Sequence, residues 1–166
     1  MSPIDARPEG DRFPADRPSD PMLLFRAGNT LGAVPALGVA ETLRPLAIER
    51  LPGMAACVLG ISAIRGRATP VVDARILLSA CATEPAARLV VLRVGERTVA
   101  LAVDSVLGLQ RFEQSSVQAL PPLLGGADAG LVAEIGRLDA DLLVVLDAGR
   151  LVPESVWSAL DSQGRA

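Results

Sequence analysis

The run GISAIRGRATPVVDARILL, residues 60–78, constrains this chain more than any other segment. Two stretches rich in β-branched residues, 58–64 and 69–72, flank the dipeptide Arg65-Gly66. Gly and Pro bound them, which is the punctuation of strands. Gly66 accepts the positive φ of a tight turn, so the segment reads as a hairpin with an arginine at its tip. Pro70 opens the second strand, and Asp73-Ala74-Arg75 leads out of it toward a short helical turn.

The same texture recurs along the chain. Residues 22–26 and 31–34 flank Gly28-Asn29, a hairpin signal. Residues 89–94 and 99–103 flank Gly95-Glu96-Arg97, and residues 106–109 read as a continuation of that second strand. Residues 131–138 and 142–146 form a further hairpin around Asp139-Ala140-Asp141. The run 36–43 fits either a strand or one helical turn, and periodicity does not separate them. Pro45 and Pro52 bracket an irregular connector, and residues 80–87 read as a loop. Residues 110–124, polar and then Pro-rich, lead to a turn at Gly125-Gly126-Ala127-Asp128. Val152, Val156, Trp157 and Leu160 fall at helical spacing, so a terminal helix packs on the domain. About nine or ten short strands with tight Gly turns argue for an all-β barrel or sandwich. A doubly wound sheet needs long helical crossovers, and these connectors are too short or too Pro-rich.

Composition narrows the chemistry. The chain has 166 residues, enough for one domain or two small subdomains, and half are apolar. His, Lys and Tyr are absent, and all 16 basic residues are Arg, against 19 acidic ones. Without His the commonest general base is missing, and without Lys there is no Schiff-base or P-loop lysine. Cys57 and Cys81 have no Cys-x-x-Cys spacing, so they read as two free thiols of a reducing compartment. No metal or cofactor is expected, nor is catalysis. The slightly acidic balance gives no basic footprint for nucleic acid. No run approaches the ~18 apolar residues of a membrane span, and the polar N-terminus has no signal-peptide core, so the default location is cytoplasmic. Residues 1–21, with five prolines and alternating charge, read as a disordered tail. The folded domain is expected over residues 22–160, and residues 161–166 as a C-terminal tail.

The signature stretch resembles that of the CheW family, the coupling proteins of bacterial chemotaxis arrays. That family typically carries Gly, then Asn-Leu-Arg-Gly, then Pro-Ile/Val-Val-Asp-Leu-Arg. The matching residues are Gly60, Ala63-Ile64-Arg65-Gly66 and Pro70-Val71-Val72-Asp73-Ala74-Arg75, with Ala63 and Ala74 replacing Asn and Leu. The likeness extends over nearly all of residues 22–160. Leu23-Leu24-Phe25-Arg26 with Gly28 and Leu31-Gly32 is similar to the opening hairpin, and Val39-Ala40-Glu41-Thr42 to Val-x-Glu-Ile. Leu89 to Asp104 and Leu142 to Leu151 resemble the later strands, with Arg150 in place of a Lys. The resemblance implies two intertwined five-stranded SH3-like barrels with short helical turns and a C-terminal helix. It also implies a non-catalytic adaptor that links the tips of methyl-accepting chemoreceptors to a CheA-type histidine kinase, with no direct membrane insertion. The competing reading is a β-barrel enzyme or small-molecule binder, which would show a deep polar pocket.

The candidate partner-binding residues are Val39, Glu41, Gly60, Arg65 and Leu101, with Ile61 a further strand-face candidate. Arg65 offers a planar five-donor fork to a partner carboxylate or carbonyl, or ties the subdomains together through Asp73 or Asp104. Glu41 sits in an apolar run and is expected on an exposed sheet face, at a partner surface or as an ordinary carboxylate. Val39, Ile61 and Leu101 are apolar strand residues that one sequence divides between core and interface in either way. Asp73, Arg75 and Asp104 sit at strand ends and read as turn caps and a structural ion pair. No nucleophile or base accompanies them.

Overall fold

A computed structural model describes residues 20–79, 85–111, 117–119, 132–138 and 141–163. The tail expected at residues 1–21 lies outside these, apart from Asp20 and Pro21, as do Cys81 and the turn at residues 125–128. The strands are β1 Met22–Ala27, β2 Thr30–Pro35, β3 Val39–Leu43, β4 Val58–Ile64, β5 Arg67–Asp73, β6 Arg88–Val94 and β7 Arg97–Val103. They continue as β8 Ser105–Gln110, β9 Val117–Ala119, β10 Val132–Leu138 and β11 Asp141–Leu146. Helix α1 is Ala74–Ser79 and α2 is Glu154–Gln163, with single 3-10 turns at Ala36–Gly38 and Ala148–Arg150.

The strands form a six-stranded sheet ordered β8-β1-β2-β11-β10-β9 and a five-stranded sheet ordered β3-β6-β7-β5-β4. The all-β, two-barrel expectation holds, with β9 adding a sixth strand to one sheet. The intertwining lies in the chain order, because β3 to β7 are inserted whole between β2 and β8. Each sheet contains one parallel pair, β11 with β2 and β5 with β7.

Among the described residues the core has three parts, which explains why the strands read as continuous apolar runs. Leu24, Leu31, Ala33, Leu143 and Val145 fill one side of the six-stranded sheet. Ile64, Val71, Leu89, Val91, Ala100 and Ala102 fill the inside of the five-stranded one. Between the sheets a larger shared cluster takes Phe25 and Val34 from one, Val72, Val90 and Leu101 from the other, and Trp157 from α2. Neighbours such as Val71 and Val72 therefore point into different clusters, and both faces of the strand are apolar. Phe25 is fully buried and lies across from Gly32, where any β-carbon would collide with its ring.

Three local expectations need correction. Residues 36–43 are both candidates in succession, a 3-10 turn and then β3. Residues 106–109 do not extend β7. They belong to β8, which pairs with β1 in the other sheet. The switch occurs at Asp104, whose N–H donates to the Arg26 carbonyl at 2.9 Å and whose carboxylate accepts from the Gly28 N–H at 2.6 Å. Finally, α2 runs through Gln163, past residue 160, and Asp161 there reaches Arg97 at 3.4 Å.

Candidate partner-binding site

The β4–β5 turn has positive φ at both central residues, 52° at Arg65 and 75° at Gly66. That is the signature of a two-residue hairpin whose twist matches its strands. Arg65 is the one non-glycine with positive φ among the described residues, and it carries the side chain that matters. Its Nε donates to Glu41 Oε1 at 3.0 Å and its Nη2 to Oε2 at 2.8 Å. β3 and β4 are the opposite edges of the five-stranded sheet, so the fork spans the gap between them. The Arg65 side chain is 77% exposed and that of Glu41 24%. Hydrogen bonding to the guanidinium holds the Glu41 carboxyl below its ordinary pKa, and the same bonds raise that of Arg65.

The other candidates divide. Val39 is half-buried on β3, where it packs on the edge of the shared core, and Ile61 is half-buried on β4. Leu101 has no exposed surface, so it belongs to the shared core and does not meet a partner. Strand β7 lies inside its sheet with apolar packing on both faces, which accounts for its apolar run. Gly60 is likewise buried and is not a contact residue. Its φ of 147° and the bulge beside it bring the backbone against the Glu49 carbonyl, where a β-carbon would clash. The bridge between Glu49 and Ile61, closed by two bonds of 2.8 Å, depends on that approach.

The internal tie considered for Arg65 exists, but Arg75 makes it. Arg75 Nε and Nη2 donate to the two oxygens of Asp73 at 3.1 and 2.9 Å. The Arg75 N–H adds 2.9 Å to Asp73 Oδ1, and Nη1 reaches Asp104 Oδ1 at 3.4 Å. The other Asp104 oxygen accepts from Gly28, so this chain of bonds connects the two sheets. The Arg75 and Asp73 side chains are 6% and 1% exposed. The bonds to Asp73 are the main cause that raises the Arg75 pKa. Both Asp73 oxygens are engaged, so the cluster offers a substrate no free carboxylate, as a structural ion pair should.

The apolar cleft beside this pair, about 490 Å³, is lined by Leu46, Ile48, Leu59 and Leu89. Of the charged groups that line it, Asp73 and Arg75 are paired with each other and the third is the exposed Arg50. Among the described residues no group of His, Cys, Asp and Glu could hold a metal ion. Nor is any helix there long and apolar enough to cross a membrane. Leu37 escaped the sequence reading. It is 77% exposed in the 3-10 turn that leads into β3, close in sequence to Val39 and Glu41. The ambiguity of residues 36–43 hid it, because a strand and a helical turn bury different residues of that run.

Two nested β barrels, an exposed Arg–Glu fork across the edges of one, and two carboxylates committed to the internal Arg75 have the make-up of a binding module. The chain belongs to the CheW-like domain family, whose pattern matches residues 21–156. It is 33% identical over 131 residues to the protein FrzA of Myxococcus xanthus, covering 75% of this chain and 81% of that one. It is 24% identical over 134 residues to the chemotaxis protein CheW of Rhizobium meliloti, covering 80% and 86%. The scaffolding protein TtCheW of Thermoanaerobacter tengcongensis shares the fold, with a TM-score of 0.67 at 18% identity over 82% of this chain and 98% of that one.

Proposed function

We propose that this chain is a non-catalytic adaptor of chemotaxis signalling that couples chemoreceptors to a CheA-type histidine kinase in the cytoplasm. The observation that carries this reading is the exposed Arg65–Glu41 fork on a domain of the CheW-like family. The chain's likeness to a chemotaxis protein and to a scaffolding protein supports it. Arg65 presents donors that Glu41 does not saturate, and a planar guanidinium suits a partner carboxylate or backbone carbonyl. Glu41, Val39 and the exposed Leu37 add acidic and apolar contact along the β3 edge. Arg is among the residue types that interface hot spots favour.

The test is reconstitution. The purified chain, a CheA-type kinase and a receptor cytoplasmic fragment are mixed, and ternary complex and kinase activity are measured. The adaptor reading predicts that receptor control of the kinase requires this chain. Receptor control that is equal with and without it refutes the reading.

A further inference from the structure

Helix α2 is gripped at its surface by one arginine. The chain leaves the six-stranded sheet through β11 and the 3-10 turn at Ala148–Arg150, and α2 then reaches β7 of the other sheet. Val156 and Trp157 are buried in the shared core, with Leu160 at its edge. Arg97, the first residue of β7, meets the helix at three places. Its guanidinium carbon lies 4.9 Å from the centre of the Trp157 ring. Nη1 is 3.6 Å from Glu154 Oε1, and Nη2 is 3.4 Å from Asp161 Oδ2. Those three residues fall on one helix face, so Arg97 holds two successive turns. The contacts are at the surface, with side-chain exposures of 39% for Arg97, 79% for Glu154 and 62% for Asp161. Exposed ion pairs and an exposed cation over a ring each contribute little in water. At 10 residues, α2 is also too short to persist as a helix once undocked.

We propose that α2 is a reversible strap across the two barrels, with Arg97 as its catch, and that it opens by local unfolding while both sheets stay folded. Opening uncovers the edge of the shared core, to which both sheets contribute, and removes a tie between them. The buried Arg75 tie remains and keeps the barrels together.

The chain has one Trp and no Tyr, so its intrinsic fluorescence reports Trp157 alone. Hydrogen exchange on the whole chain should show amides of residues 154–163 exchanging at least about tenfold faster than those of β6 and β7. The double variant Glu154→Gln, Asp161→Asn leaves Arg97 on the ring and removes the ion pairs. It should shift Trp157 emission to the red and speed α2 exchange about tenfold, with β6 and β7 exchange and the far-ultraviolet strand signal unchanged. Exchange of α2 and the strands as one unit in the unmodified chain overturns the strap. So does a double variant with unchanged emission and α2 exchange, or one that loses its strands together with α2.

Discussion

Arg65 and Arg75 each grip a carboxylate with Nε and Nη2, at 3.0 and 2.8 Å to Glu41 and at 3.1 and 2.9 Å to Asp73. Their surroundings differ. The Arg75 pair is buried, extends to Asp104 and Gly28, and has side chains 6% and 1% exposed. The Arg65 pair faces water at a hairpin tip. A buried fork is costly to break because its partner is left charged and dry, whereas an exposed one is replaced by water. The same chemistry therefore organises the fold in one place and leaves a charged fork open to a partner in the other.

Removing the buried member should have the largest effect. Arg75→Ala strands Asp73 and should cost about 3–5 kcal/mol in urea unfolding. Stability close to that of the unmodified chain would break the contrast. Gly60→Ala comes next, at about 1–3 kcal/mol, because the new side chain must adopt a strained φ against the Glu49 carbonyl. If it only weakens partner binding, Gly60 is a contact residue after all. Arg65→Ala should leave the melting temperature nearly unchanged while weakening kinase or receptor binding about tenfold or more. The smallest effect is protonic. The folded pKa of Glu41 is depressed, so any stability from its pair is present above the unfolded value and is lost as pH falls through the folded one. A carboxyl titration by NMR should place Glu41 below an ordinary glutamate, and in Arg65→Ala the midpoint should rise. A midpoint unmoved by that substitution would show that the fork does not form in solution.

Much of this contrast was legible in the sequence. The hairpins were, because Gly turns and β-branched runs are local signals, and the run 58–64 coincides with β4. Arg65 and Glu41 were each singled out, but their pairing crosses two sheet edges and is a product of closure. Which strand joins which sheet was not legible. Strands buried on both faces carry no alternation to mark a side, so Leu101 gave no sign that it was core. The passage from β7 to β8 looked like one strand because a single residue, Asp104, makes the switch through tertiary bonds. Strand β9 has three residues in a polar stretch, too few to register a period.

The most direct test of the account is to measure Arg65→Glu against the unmodified chain for both melting temperature and binding to a CheA-type kinase and a receptor cytoplasmic fragment. Charge reversal places two carboxylates across the sheet edges at the surface, where water screens them. The account predicts a melt within a few degrees of the unmodified chain and affinity for at least one partner reduced about tenfold or more. Unchanged affinity for both partners, or a collapsed melt with normal binding by the protein that remains folded, would contradict it.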